Sequence, residues 1–161
     1  MMSEDVFHYG IKALIRNAEG KFLLLKVNVQ RLKNLGHNGP AYWDIPGGRI
    51  QKGDSVEQTL FREVEEETGI KNIRGYEHFA TTVANFRIQN GALGLILSSF
   101  VCDVGDVKSV VLSDEHTDYA WVEPAEAVRL LSVKYPKALV EKFAFMAGVG
   151  GSRVLETEIS V

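Results

Sequence analysis

Three glutamates on one predicted helical face, directly after a glycine-rich loop, constrain this chain more than any other feature. Glu63, Glu66 and Glu67 are spaced i, i+3, i+4 within an apolar helical pattern. On a helix that advances about 100° per residue, they lie within an arc of roughly 100°. Like charges at this spacing repel one another by a few tenths of a kcal/mol per pair. Such a face suits a hard divalent cation such as Mg²⁺ or Mn²⁺, which prefers carboxylate oxygens.

The residues around this face match a longer motif. Gly48 is followed after five residues by Asp54, and after seven more by the run Arg-Glu-Val-Glu-Glu-Glu-Thr-Gly-Ile at 62–70. This pattern resembles the Nudix box, with one departure, because Asp54 stands where the box has glutamate. A solvated acidic helix is the usual interpretation of a charge run, but it explains neither the position of Gly48 nor that of Gly69.

The resemblance implies a fold and a chemistry. Members of the Nudix family hydrolyse the pyrophosphate of a nucleoside diphosphate linked to another group, with a divalent metal as cofactor. The implied fold class is α/β, a Nudix-type α/β/α sandwich with a mixed β-sheet. By their place in the box, Glu63, Glu66 and Glu67 are implied metal ligands for Mg²⁺ or Mn²⁺. Either Glu66 or Glu67 is also implied to orient or deprotonate the attacking water, and the sequence leaves the choice between them open.

Residues beside the glutamates are candidates for supporting the catalytic centre. Arg62 is expected to hold the carboxylates through guanidinium hydrogen bonds, and a surface ion pair with Glu66 at i, i+4 is the alternative. Gly47 and Gly48 lack a Cβ, so their backbone can approach phosphate or metal closely. Arg49 follows them as a candidate phosphate contact.

Two further predictions lie outside the box. Lys26, at the end of a predicted strand, is a second candidate phosphate contact, and an exposed lysine at a strand end is the alternative. The family often recruits an additional acid from a loop before an aromatic-containing strand, and 113–122 has that form. Glu115 is therefore the candidate for an additional metal ligand or general base, with Asp114 and Asp118 as alternatives.

Local patterns predict the order of the elements. Strands are expected at 6–15, 21–27, 76–88, 92–104 and 119–122, the first two as a hairpin, with a polar loop at 28–40. Ser55 and Gln58 form a predicted capping box at the start of the acidic helix, and Gly69 suits its C′ position. Val56, Leu60, Phe61 and Val64 are its predicted apolar face. Pro124 and Pro136 are expected to open two further helices.

Composition narrows the class of protein. A chain of 161 residues with 45% hydrophobic content is expected to form one domain with a full core. The net charge of −3 offers no electrostatic footprint for a nucleic-acid polymer. The sequence shows neither a signal-peptide pattern nor a long apolar run, so no membrane contact and a cytoplasmic protein are expected. Cys102 lies in an apolar run and is expected to pack in the core.

The C-terminal segment is expected to be separate from the domain. A single hydrolase domain is predicted over 1–147, followed at 148–161 by a glycine-rich hinge and a tail. Apolar and polar residues alternate over 155–161, which is compatible with an edge strand on this chain, with a strand shared in a homodimer, and with a frayed tail.

The substrate is expected to be a small-molecule nucleotide. The segment at 84–87 lacks the proline of ADP-ribose hydrolases and the tyrosine of diadenosine polyphosphate hydrolases. The stretch 38–52 is similar to GDP-mannose hydrolases, but those enzymes depart from the full glutamate set that this chain retains. A nucleoside triphosphate or a nucleotide sugar is therefore expected, and a non-catalytic nucleotide sensor of the same fold is the alternative. Tyr42, Phe79 and Phe86 are candidates either for base stacking or for core packing.

Overall fold

The computed structural model describes residues 2–150, which form seven strands and four helices. The strands are β1 (Phe7–Arg16), β2 (Phe22–Val27), β3 (Trp43–Asp44), β4 (Gly47–Arg49), β5 (Ile73–Val83), β6 (Gly94–Val104) and β7 (His116–Val122). The helices are α1 (Val29–Asn34), α2 (Val56–Thr68), α3 (Pro124–Leu131) and α4 (Lys137–Met146). The part of the predicted tail beyond Gly150 lies outside the described residues.

The strands form one mixed sheet in the order β3-β2-β1-β6-β5, with β7 beside β2 and β4 beside β1. β1 and β6 run parallel, and the other paired strands are antiparallel. On its other side β1 pairs with β2 only between Arg16 and Phe22, whereas its first half pairs with β4. The sheet therefore opens between β1 and β2. The β3–β4 turn enters this opening, where the Ala13 amide donates to the Pro46 carbonyl at 2.8 Å.

Helices cover both faces of the sheet. On one face Leu60 and Val64 of α2 pack in a cluster with Ile11 and Phe100. On the other face α3 and α4 pack over a second cluster, in which the ring of Phe143 meets that of Phe22 at 5.0 Å between centroids. These two layers around a mixed sheet confirm the predicted α/β architecture.

The acidic helix begins and ends as predicted. Both hydrogen bonds of the capping box between Ser55 and Gln58 are present. Gly69 ends the helix in the left-handed conformation, at φ 71°. Phe61, a predicted member of its apolar face, is exposed: 39% of its surface is accessible, and its ring packs edge-on against Tyr76 of β5. Phe61 lies at the margin of the apolar arc, so β5 covers its ring only in part.

Several predicted boundaries differ from the structure, and one is that of the strand predicted at 119–122, which begins at His116. The polar segment at 28–40 contains α1, which begins because the Asn28 side chain accepts from the Arg31 amide at 3.2 Å. The first two strands meet in a hairpin at a single residue pair, since β4 occupies the edge of β1 that β2 was expected to share. The strand predicted at 76–88 runs from Ile73 to Val83. Residues 89–91 form a turn with positive φ at all three positions, between the bridge partners Ile88 and Leu93.

Two expectations from composition can be compared with the described residues. Cys102 is buried in the core, and burial raises the pKa of its thiol to about 12. Between residues 2 and 150, no helix combines the length and the apolar character needed to cross a membrane.

A buried ionic cluster ties β1 and β3 to the segment between α3 and α4. Asp44 is buried, and its carboxylate accepts from the Ile45 amide at 2.7 Å and from Lys12 Nζ at 3.3 Å. Lys134 Nζ and the Tyr135 hydroxyl also donate to it. Burial by itself would raise the pKa of Asp44, but the two ammonium groups and the hydroxyl outweigh it and hold the pKa well below its usual range.

This cluster predicts acid-sensitive stability. Since the pKa of Asp44 is lower in the folded than in the unfolded protein, its ionised form stabilises the fold above the unfolded pKa of about 3.9. That contribution is lost as the pH falls through the unfolded value toward the folded one. We expect Asp44→Asn to lower the free energy of unfolding by about 3–5 kcal/mol near neutral pH. The difference from the parent should shrink steadily below about pH 4 in urea denaturation series.

The exposed Asp118→Asn serves as the control and should change stability by less than about 0.5 kcal/mol. A stability difference between the parent and Asp44→Asn that is constant from about pH 6 to about pH 3 would contradict the charge assignment.

Candidate functional site

Two glycines bring the β3–β4 turn against both the sheet and the acidic helix. A Cβ on Gly47 would lie 2.2 Å from the Ile11 carbonyl oxygen, and one on Gly48 would lie 2.3 Å from Glu63 Oε1. A side chain at position 47 would collide with the backbone of β1, and one at position 48 would displace the Glu63 carboxylate, so the backbone of the turn lies against Glu63. The Gly47 amide also donates to Glu67 Oε2 at 3.3 Å. The backbone of these glycines therefore lies close to the carboxylates of α2. Its predicted approach to phosphate or metal stays a prediction.

The box glutamates differ strongly in burial. Glu67 is 5% exposed and Glu63 is largely buried, so these two form the inner part of the acidic face. Glu66 lies on the rim with a side chain that is 61% exposed. Glu65 is exposed and pairs with Lys71 at 3.3 Å. The structure thus brings Glu63 and Glu67 to the glycine turn and leaves Glu66 free to change rotamer.

Arg62 links the start of the helix to the first glutamate. Its Nη1 donates to Asp54, and its Nη2 donates to Glu63 Oε1 at 3.3 Å. Its Nε is 4.0 Å from Glu66 Oε1 and has no hydrogen-bond partner. The guanidinium therefore holds Glu63 more closely than Glu66. Asp54, despite its shorter reach, anchors the loop to Arg62.

The inner carboxylates lie where ionisation is costly. Burial raises the pKa of Glu67 to about 8; Lys12 opposes this shift, while Glu115 and Glu63 add to it. Burial also raises the pKa of Glu63, against the Arg62 guanidinium. Buried charges need a partner of opposite sign or a metal. The Arg62 and Lys12 cations therefore offset only part of the cost of burying these carboxylates.

These residues fit a hard divalent cation in donor chemistry. Glu63 and Glu67 offer oxygen ligands beside a backbone that admits close approach. Across residues 2–150, no group of three His, Cys, Asp or Glu side chains is already converged on one point. Mg²⁺ commonly takes one or two carboxylates and completes its shell with water and substrate phosphates. The inner pair meets that requirement, with the exposed rim residue Glu66 as a further donor.

Glu115, the candidate acid outside the box, is held by contacts with α1 and with the residue before that helix. It directly precedes β7, and its backbone carbonyl accepts from the Asn28 amide at 2.8 Å. Arg31 of α1 donates to Glu115 Oε1 at 3.0 Å and to Asp114 Oδ2 at 2.5 Å. The charge of Glu115 contributes to the raised pKa of both Glu63 and Glu67. The structure therefore places Glu115 within electrostatic reach of the inner pair.

A cavity of about 420 Å³ opens beside the glycine turn. Gly47, Gly48 and Arg49 line one side, and Lys12 and Lys134 line another. Apolar side chains of β6 and the exposed ring of Phe86 complete much of the wall. Arg49 is exposed and lies 3.4 Å from His8 Nδ1, so its side chain is available at the mouth of the cavity.

Lys26 and the aromatic candidates differ in their position relative to this cavity. Lys26 pairs across the sheet with Trp43 and Asp118, and its ammonium is 5.9 Å from the Trp43 ring centroid. The described residues that line the cavity do not include Lys26. Of the three aromatic candidates, Phe86 lines the cavity, whereas Phe79 packs against Phe143 in the core.

Several residues at the site escaped the sequence analysis. Lys12, Lys134 and Tyr135 line the cavity, and Asp44 lies behind them. The sequence offered two signals. Lys12 lies between apolar residues of a predicted strand, and Asp44 lies between a tryptophan and an isoleucine. His116 is also buried, with an Nδ1 that lacks a partner, and burial lowers its pKa.

Comparison with known proteins identifies the family. The NUDIX domain model matches residues 6–143. The nucleoside triphosphatase NudI of Salmonella agona (strain SL483) is 33% identical over 119 residues, which are 70% of this chain and 79% of that protein. The crystal structure of the MutT protein from Methanosarcina mazei Go1 superposes with a TM-score of 0.64 at 29% identity, covering 88% of this chain and 94% of that one.

A second structural neighbour shares the fold at lower identity. The binary complex of a C. elegans Ap4A hydrolase superposes with a TM-score of 0.65 at 23% identity, covering 88% of this chain and 98% of that one. The glycine turn, the acidic helix and the mixed sheet with helices on both faces agree with this match. The chain belongs to the NUDIX domain family and is a pyrophosphohydrolase of the Nudix type.

Proposed function

We propose that this protein hydrolyses the pyrophosphate linkage of a nucleoside triphosphate with Mg²⁺ or Mn²⁺. One observation carries the proposal: Glu67 is buried and Glu63 is largely buried against the glycine turn, and the same turn lines a cavity of about 420 Å³. The similarity to a nucleoside triphosphatase supports a triphosphate over a nucleotide sugar. A sensor without turnover would gain little from a buried acidic pair that needs a cation.

The residues divide the work between fixed and movable groups. Glu63 and Glu67 are the fixed ligands, because the glycine turn and Arg62 hold them. Glu66 and Glu115 are the movable ligands, because both side chains are substantially exposed. A bound divalent cation neutralises phosphate charge and lowers the pKa of a coordinated water. Glu66 or Glu67 accepts the proton of the attacking water, and Arg49 binds phosphate at the mouth of the cavity.

Product analysis tests this function. The protein is incubated with the common nucleoside triphosphates, with nucleotide sugars and with ADP-ribose, each with Mg²⁺ or Mn²⁺ and each with EDTA. Hydrolysis between the α and β phosphates of a triphosphate gives a nucleoside monophosphate and pyrophosphate. We expect these products only with metal. Absence of turnover on every compound would contradict the proposal, and turnover of nucleotide sugars alone would reassign the substrate.

The first variant series tests the acidic face. Glu66→Gln and Glu67→Gln keep side-chain size and remove the charge. We expect each to lower kcat at least about a hundredfold, which corresponds to about 2.7 kcal/mol of barrier. Glu65→Gln is the matched control on the same helix, and its kcat should stay near that of the parent. Equal losses at Glu65 and Glu67 would show that the inner face has no special role.

The second series tests the acid outside the box. Glu115→Gln and Asp114→Asn each remove one carboxylate contact of Arg31, so they are matched in their effect on the loop. Because Glu115 also acts electrostatically on Glu63 and Glu67, only its variant should weaken metal activation or slow turnover by about tenfold or more. Steady-state rates as a function of Mg²⁺ concentration measure this. Activity of Glu115→Gln within about twofold of the parent would remove it from the site.

The third series removes the metal. A cation that binds the native state stabilises it by RT ln(1 + [M]/Kd), about 2.7 kcal/mol at a hundred times Kd. Thermal melting is measured in EDTA and in rising Mg²⁺ or Mn²⁺ for the parent and for a Glu63→Gln/Glu67→Gln double variant. The parent should gain several degrees with metal. The double variant should melt at least as high as the parent in EDTA, since two buried carboxylates are gone, and gain little from metal. Equal gains in both proteins would contradict metal binding by this pair.

A further inference from the structure

Two lysines share a single carboxylate at the wall of the cavity. Lys12 Nζ lies 3.3 Å from Asp44 Oδ1, and Lys134 Nζ contacts Asp44 Oδ2. The Lys12 side chain is 14% exposed and that of Lys134 is 22% exposed, so both are largely withdrawn from water. Both nevertheless line the cavity beside the glycine turn. Asp44 therefore holds both ammonium groups, and both lysines remain accessible from the cavity.

The charges of this cluster do not balance. Two ammonium groups face one carboxylate, and the Tyr135 hydroxyl contributes no negative charge because burial raises its pKa well above the usual value. Glu67 is the other acid near Lys12, but it turns toward the Gly47 amide and the proposed metal. Asp44 therefore balances only one of the two ammonium charges at the cavity wall. In a partly dehydrated setting, such a charge attracts an anion strongly.

The surroundings favour a point contact to phosphate. The Lys134 ammonium lies 5.0 Å from the ring centroid of Tyr42 and 5.3 Å from that of Tyr135, so aromatic faces border it. Lys12 also donates to the Ile45 carbonyl at 3.2 Å, which fixes its direction along the turn. A lysine ammonium binds phosphate as a point charge and makes stronger hydrogen bonds to it than to a neutral acceptor.

We propose that Lys12 and Lys134, positioned by Asp44, bind a phosphate oxygen of the nucleotide that is not held by the metal. This assignment rests on the proposed nucleotide substrate and adds binding residues to that same site. It implies two separate means of phosphate recognition. The acidic helix acts through a cation, and the lysine pair acts directly, so phosphate affinity should persist without metal.

Calorimetric titration in EDTA tests the lysine pair without turnover. The probes are AMP, CMP, GMP and UMP, each compared with the corresponding nucleoside. We expect the parent to bind at least one monophosphate more tightly than its nucleoside. Lys134→Gln should weaken that monophosphate about tenfold or more and leave the nucleoside unchanged. Lys134→Arg keeps the charge and should retain most of the affinity for the monophosphate.

Lys137→Gln is the matched control, because this lysine lies three residues away in sequence, is 89% exposed and pairs with Glu141. It should bind as the parent does. Three results would overturn the assignment: a parent that binds none of the four monophosphates more tightly than its nucleoside, a Lys134→Gln variant that binds as the parent, or an equal loss for nucleoside and monophosphate. The last result would mean that Lys134 contacts the base or sugar.

Ionic strength provides a measurement on the parent alone, should Lys134→Gln fail to fold. Monophosphate affinity should fall as salt rises from about 0.02 to 0.5 M, and nucleoside affinity should not. A monophosphate affinity insensitive to salt would overturn the assignment. Failure of the proposed hydrolysis is separately visible: lysine-dependent phosphate binding without turnover on any substrate keeps the lysine pair and rejects the hydrolytic function.

Discussion

The contact between the glycine turn and α2 is the constraint on which the site depends. Because Gly47 and Gly48 leave no space for a Cβ, the turn reaches both β1 and the Glu63 carboxylate. The same contact supplies an amide to Glu67 and excludes water from the inner half of the acidic face. Without it, the glutamates would form an ordinary solvated helix surface, where like charges cost little. With it, they become acids whose ionisation calls for a cation.

Two buried acids of this protein have opposite electrostatic surroundings. Asp44 has two ammonium groups, a hydroxyl and an amide, and its pKa lies well below the usual range. Glu67 accepts from one amide, and the charge of Lys12 lowers its pKa only in part, so burial still raises that pKa. The number of nearby donors decides the difference, since both are withdrawn from water. Asp44 thus has its charge partners within the fold, whereas the burial of Glu67 is offset only in part by Lys12.

The cleft is assembled from elements on opposite sides of the sheet opening. α2 supplies the inner glutamates, and the loop before β7 supplies Glu115 with Arg31 of α1 beside it. The segment between α3 and α4 supplies Lys134, and β1 supplies Lys12. The opening exists because β1 changes partner from β4 to β2 along its length. The proposed metal ligands and the proposed phosphate-binding lysines therefore both border the glycine turn.

Local sequence determined the acidic helix, because caps and helical spacing act within a few residues: the start at Ser55, the stop at Gly69 and the shared face between them all follow from it. The box spacing likewise predicted the family. Tertiary structure alone decided which charges are neighbours. Asp44 meets Lys134 across 90 residues, and no local period relates them. Strand pairing likewise placed Lys26, whose role as a phosphate contact stays a prediction, beside Trp43, because the register between strands is not a local property of the sequence.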